Sequence, residues 1–502
     1  MSDASLTAAR PRLDDRINPI LVKEVRQALR GKYFRVLFWL TLGVGTLIGL
    51  SIVSNAASET QTSDLGRFFF MCIFGVMSAA VHGFVPFSAF LSTSSEWDEN
   101  TYDLLVISNL KPRQIVLGKL LSALIQALLY YSTFGPFLVF AFLMNGIDLL
   151  SVAVILVGSL ATCIALTLVG IAASSLTTTK VGRVVLMAIF GAGLIGAWGM
   201  SMGLGAAITF EPQTLRDVEG QSAVAGYLSA AFIVAALSTA VAMARFSHEE
   251  ENRSTGLRLL ATFVILAASA WGAWMHSLFG DVEFIWASQS IAAGACFLMW
   301  IFFMTEPEEL GRRVEKHLPQ NPVLALLASP FHPGGGRAVL LFGLHVALAT
   351  VGSQIALSFG AVSSGDRWKT MSIVLALYAY AFFYIGIPSA IGAFFVRSFA
   401  VRMLLRLGIF LAFPVSILLP VLVGLFARVD SWMKFEHPFN PFWVLRQLDD
   451  ASMDYGAIVA TWGLTATTLL GILLNLPRVV RGLREVATLR QRRSEQSAAA
   501  AH

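Results

Sequence analysis

Twelve apolar stretches of this chain, each long enough to cross a bilayer, contain no lysine or arginine. A hydrocarbon core about 30 Å thick is crossed by about 20 apolar residues in helix. The stretches are 36–53, 68–90, 120–144, 149–174, 184–209, 223–244, 259–277, 284–304, 338–359, 371–395, 407–427 and 455–476. Charged residues make up 13% of the 502 positions and hydrophobic ones 56%, whereas soluble domains carry about 25% charge. So little charge cannot cover the surface of soluble domains. The expected fold class is therefore all-α: a polytopic integral membrane protein of twelve spans.

The basic residues sort by side. Of the 36 lysines and arginines, 29 fall in one alternate set of connecting segments, including both ends of the chain. The other set holds Arg67, Arg216, Arg367, Lys369, Arg428, Lys434 and Arg446. The positive-inside rule makes both termini cytoplasmic, which an even number of spans satisfies. The net charge of +5 then belongs to membrane flanks. No basic run is interleaved with regularly placed aromatics, so nucleic acid is not an expected partner. Cys72, Cys163 and Cys296 lie inside spans and read as free thiols, with no zinc spacing among them.

Loop lengths suggest an internal repeat. A long segment follows the first two spans (91–119) and another follows the seventh and eighth (305–337). The domain reading is an N-terminal segment to 35, a six-helix unit over 36–250, a second over 251–476 that is a diverged repeat, and a basic tail over 477–502, disordered from Ser494.

Two segments carry mechanism. Residues 18–33 read NPILVKEVRQALRGKY. Asn18 suits an N-cap and Pro19 a first helical position. Leu21, Val22, Val25, Ala28 and Leu29 fall on one side, and Lys23, Arg26 and Arg30 on the other. Such a helix lies in the interface with its cations toward anionic lipid headgroups. Residues 92–119 read STSSEWDENTYDLLVISNLKPRQIVLGK. Thr93 and Glu96 have capping-box spacing, and Glu96, Asp98 and Glu99 form an acidic first turn. A short amphipathic helix over about 93–107 is expected, able to dock in a groove of a soluble partner.

At these segments the chain resembles the permease subunit of type-2 ATP-binding-cassette transporters. The resemblance rests on NPILVKEVRQALR at 18–30 and on E-x-x-E-N-T-Y-D-L-L-x-x-S-N-L-x-x-R-Q-I-V-L-G-K at 96–119. It covers roughly 18–250. It implies that 18–30 is an elbow helix at the interface and that Glu96, Glu99, Thr101, Asp103 and Leu104 lie on or beside a coupling surface for a separate ATPase subunit. It also implies placement in a bacterial inner membrane and export rather than import. Asn100 stands where the family often has glycine, and 251–502 has no counterpart in six-span members.

No phosphate loop of the form G-x-x-x-x-G-K-S/T occurs. ATP hydrolysis is therefore expected in a partner chain, and neither enzyme activity nor a cofactor is expected here. Pro333 to Arg337, with three glycines, could cradle an anion through backbone N–H groups but reads as a flexible approach to a span. His82, Gln126, His345 and Gln354 are polar within spans and read first as bonds between helices. Gly45 and Gly49 in the first span, and Gly199 and Gly203 in the fifth, have small-xxx-small spacing. They read as packing sites or as the lining of a conduit, at a homodimer contact or one with a second permease. Trp432, Phe435, Phe439, Phe442 and Trp443 read as an interfacial anchor. The competing function is an ATP-independent carrier or channel, for which only His82 and His345 offer titrating groups.

Overall fold

Length and apolarity pick out eleven membrane-crossing helices among the described residues of the computed structural model. The remaining expected span, 407–427, coincides with the helix Phe399–Phe426, whose described apolar part runs over Leu404–Phe413. No strand occurs among the described residues. The chain is an all-α, multi-pass membrane protein. The structure describes residues 19–56, 62–98, 111–144, 146–176, 180–211, 213–247, 252–311, 314–315, 318–319, 321–395, 399–426, 440–449 and 455–500.

Two compact units divide between His248 and Glu249. In the first, a short helix α1 (Pro19–Arg30) precedes span 1, α2 (Lys32–Ala56). Span 2 is built of α3 (Thr62–Ala79), a π-helical turn (Ala80–Phe84) and α4 (Val85–Asp98). Spans 3 to 6 are α5 (Pro112–Leu143), α6 (Leu149–Ser174), α7 (Lys180–Phe210) and α8 (Val218–Phe246). The π turn has a local cause. Pro86 lacks an N–H and cannot close an ordinary helical bond, and Val85 N–H reaches back five residues to Ala80 O.

In the second unit, spans 7 and 8 are α9 (Thr255–Phe279) and α10 (Glu283–Met304). A short helix α11 (Pro322–Ala328) comes before span 9, α12 (Gly335–Ala356). Spans 10 and 11 are α13 (Ser364–Phe395) and α14 (Phe399–Phe426), followed by α15 (Pro441–Asp449) and span 12, α16 (Tyr455–Ala500).

The neighbour relations of the two units match helix for helix. Span 1 packs on 2 and 3; span 2 on 3, 4 and 5; span 3 on 4 and 6; span 4 on 5 and 6. In the second unit, span 7 packs on 8 and 9; span 8 on 9, 10 and 11; span 9 on 10 and 12; span 10 on 11 and 12. The two sets are the same once six is added to each number. The core of the first unit is aromatic, with Phe69, Phe70, Phe74, Tyr130 and Phe134 nearly inaccessible. That of the second centres on Trp300, stacked edge-on against Phe342 and beside Tyr378.

Three expectations need correction. The helix expected to begin at Thr93 does not begin there. Span 2 continues without a break to Asp98, Thr93 Oγ1 donates to Ala89 O, and the capping-box residues sit inside a helix. Ser88 and Ser95 likewise turn their hydroxyls back to carbonyls of their own helix, so the serine-rich stretch stays helical. Glu96 and Asp98 thus stand well inside a helix that began upstream, not in a first turn. The tail over 477–502 is not separate: α16 runs on to Ala500, with Val486 packed on Leu318 and Ala325. The aromatic stretch is divided: Val444 and Leu448 of α15 pack on Ile373, Tyr380 and Tyr384, with Trp443 partly buried beside them, and 428–439 lie outside the described residues.

Candidate functional site

A carboxylate only 9% exposed is costly without opposite charge beside it, so Glu96 needs cations. It has two. Lys119 Nζ, two turns into α5, lies 2.9 Å from Glu96 Oε2, and Lys23 Nζ of α1 lies 3.1 Å from Glu96 Oε1. Lys119 also contacts Glu24 of α1 at 2.8 Å, and Ser92 Oγ donates to Glu24 Oε2 at 2.7 Å. The Lys119, Glu24 and Glu96 side chains are 2%, 8% and 9% exposed, whereas Lys23 is 54% exposed. Two lysines and two glutamates therefore form a neutral cluster whose buried part is a lysine between two carboxylates. Burial alone would raise the Glu24 carboxyl. The Lys119 charge and hydrogen bond, then Ser92 and Lys23, more than offset that and hold it below its ordinary value. Arg183, at the start of α7, donates to Ser94 O at 2.7 Å, which adds span 5 to the junction.

Among the residues expected to matter, Glu96 and Lys23 thus meet in space. Arg26 and Arg30 stay exposed, as the outward face of α1 requires. Pro19 opens α1, and Asn18 lies outside the described residues. So do Glu99, Thr101, Asp103 and Leu104. Glu24 was not anticipated. It stands among the apolar residues of α1, and its spacing from Ile20, buried on the same side, was the available signal.

Mid-membrane polar groups are bonded between helices. His82 Nε2, in the π turn, lies 3.0 Å from Ser159 O and 3.0 Å from Ser159 Oγ, which accepts from Tyr131 OH at 2.8 Å. Its Nδ1 has no hydrogen-bond partner among the described residues. His345 is satisfied at both nitrogens. Trp300 Nε1 donates to Nδ1 at 3.0 Å, so Nε2 carries the proton toward Thr262 Oγ1 at 2.9 Å. Gln126 lies 3.4 Å from Ser88 Oγ, and Gln354 donates to Arg367 O at 3.3 Å. Gln289, not singled out beforehand, links Ser269 and Tyr378.

The glycine pairs separate. A Cβ on Gly45 would lie 2.6 Å from Phe134 Cε1, so the first span needs glycine there, and Gly49 is in ordinary contact with Phe69 and Phe137. A Cβ on Gly199 or Gly203 would meet nothing within 4 Å, so close packing at these two is absent among the described residues. The face of α7 nearer its start instead borders a cleft of about 420 Å³, lined by Leu37, Gly83, Phe84, Gly191, Leu194 and Trp198. It lies between spans 1, 2 and 5.

The second unit has a charge cluster at the matching ends of its spans. Arg258, near the start of α9, reaches Glu306 Oε2 at 2.6 Å and the carbonyls of Pro330 and Gly334. Arg337 in α12 reaches Glu485 Oε2 at 3.2 Å and the carbonyls of Pro333, Gly482 and Glu308. Arg478 in α16 reaches Glu308 Oε1 at 3.1 Å and the carbonyls of Ser389 and Met304. The glycine run expected to be flexible is locked into this cluster. Gly334 has φ +130° and donates to Glu306, while Gly336 donates to both oxygens of Glu308 at 3.0 Å. It does cradle an anion, and the anion is the chain's own carboxylate. A side chain on Gly335 would run into Arg478. Beside it, burial and then the Arg337 and Arg258 charges hold the His332 imidazole below its ordinary value.

Among the described residues, no group of His, Cys, Asp and Glu has the arrangement to hold a metal ion. Comparison of the chain with protein-family models, with curated proteins and with solved structures gives no match.

Proposed function

We propose that the chain is the permease subunit of a type-2 ATP-binding-cassette transporter, an exporter driven by a separate ATPase chain in a bacterial inner membrane. The observation that supports this reading best is the Lys119 junction. Elbow sequence, span-2 end and span-3 start are far apart in the chain, yet Glu24, Glu96 and Lys119 meet within 2.9 Å. These three stretches are the ones that carry the family resemblance. The described helices on either side of residues 99–110, ending at Asp98 and starting at Pro112, both meet at this junction, so a load on the segment between them would pass to α1 and spans 2 and 3 together. The apolar cleft between spans 1, 2 and 5 suits a cargo with hydrocarbon character.

A second reading, an ion-coupled carrier, draws on the unpartnered Nδ1 of His82. One experiment separates the two. Tagged protein extracted from native membranes in mild detergent is expected to bring down a chain with a phosphate-loop motif and an ATPase activity. Transport that persists after ATP depletion and stops on His82→Gln would support the carrier instead.

A further inference from the structure

Helix α11 carries no polar side chain. Its residues are Pro322, Val323, Leu324, Ala325, Leu326, Leu327 and Ala328. Asn321 caps it by accepting from Val323 N at 2.9 Å, and Pro322 takes the first position, where a missing N–H costs nothing. Ala325 is buried on Leu318 and Val486. Val323, Leu324, Leu326 and Leu327 are 62%, 55%, 59% and 65% exposed. At about 100° per residue these four cover an arc of about 160° centred opposite Ala325. The helix thus has one narrow side on protein and a broad aliphatic side that is exposed among the described residues.

Its height is fixed. Thr255 Oγ1 donates to Phe331 O at 2.6 Å and Arg258 Nη1 to Pro330 O at 2.9 Å, so the turn after α11 is tied to the first turn of α9. On α9, Leu259 and Phe263, one and two turns further along the span, are also half exposed. The aliphatic side of α11 therefore stands at the end of a membrane-facing surface. Arg312, Arg313 and Lys316 precede it in the sequence, a cluster of charge that complements anionic headgroups. A soluble partner would find no hydrogen-bonding side chain on this helix; acyl chains need none.

We propose that α11 lies in the bilayer interface, with Val323, Leu324, Leu326 and Leu327 among the upper acyl carbons of lipids with anionic headgroups. This holds whether or not the protein is a transporter.

The test uses the full-length chain in vesicles of phosphatidylcholine and phosphatidylglycerol. Spin labels are placed at L324C, at L327C and, as a span control, at F263C, in a C72S background. Oxygen, which partitions into hydrocarbon, should relax the labels at 324 and 327 more than a water-soluble nickel chelate does, as at 263. The reverse order at both sites overturns the proposal. So does an immobilised label reached by neither reagent, since a protein then covers the helix. Replacing phosphatidylglycerol by phosphatidylcholine should make both labels more accessible to the chelate; no change would remove the anionic headgroup from the proposal.

Discussion

The two units share a plan of helix neighbours but fasten it differently. In the first, a lysine sits between two carboxylates, and one carboxylate belongs to α1, a helix outside the bundle of spans. In the second, three arginines each grip a carboxylate and also backbone carbonyls of neighbouring segments. A lysine is a point charge on a flexible stem, while a guanidinium is a planar fork that fixes direction. The first junction turns on a single buried ammonium. The second is a strut. The unit whose sequence over 96–119 resembles a coupling segment is the one fastened by a point charge.

The largest expected effect is in the strut. Arg337→Met leaves Glu485 and the Pro333, Gly482 and Glu308 carbonyls without their donor, and should cost about 3–5 kcal/mol. Loss of the thermal unfolding transition in detergent would report it. Arg337→Lys should recover little of this, since an ammonium cannot reach all four partners; full recovery would erase the distinction between fork and point charge. Lys119→Met should cost about 3 kcal/mol, the low end of that range, because Lys23 still faces Glu96. Adding Glu24→Gln should restore part of the loss.

A smaller effect lies within the first unit. Gly45→Ala should destabilise by about 1–3 kcal/mol against Phe134. Gly199→Ala, open on that side, should be neutral or stabilise by about 0.5–1 kcal/mol. Equal effects would contradict the difference between spans 1 and 5.

The smallest effects concern pH, and they differ in onset. Glu24 has a lowered carboxyl pKa, so its contribution is present above the ordinary value of 4.5 and is lost as pH falls below that toward the folded value. His332 is a lowered imidazole. The unfolded chain binds the proton more readily, so its contribution is present above 6.5 and is lost as pH falls from there. His332→Asn should flatten the dependence of melting temperature on pH just below 6.5, and Glu24→Gln should flatten it only below 4.5. Identical curves would remove the acid distinction between the units.

Most spans were legible in hydropathy, because a run free of charge has no other place to go. The two-unit plan showed in loop lengths, and Gly45 in its spacing. What was not legible was the partner of each charge. Thr93 and Glu96 have the spacing of a helix start, but the same spacing occurs wherever a helix carries a threonine and a glutamate one turn apart. Only the uninterrupted helix from Val85 to Asp98 decides between them. Arg258, Arg337 and Arg478 each lie just beyond the end of an apolar stretch (259–277, 338–359 and 455–476), which reads as an ordinary basic membrane flank. Their true partners, Glu306, Glu308 and Glu485, are distant in sequence, and nothing local points to them. Glu24 was concealed by its helix, whose clean sidedness drew attention to lipid rather than to Lys119.

One measurement bears most directly on the proposed coupling. A photocrosslinking residue at Asp103, with a second at Leu327 for contrast, would be activated in native membranes. The transporter reading predicts a crosslink from 103 to a phosphate-loop ATPase on the cytoplasmic side, weakened by Lys119→Met, and none from 327. Labelling of position 103 from outside intact cells, or a crosslinked product that contains no ATPase, would contradict it.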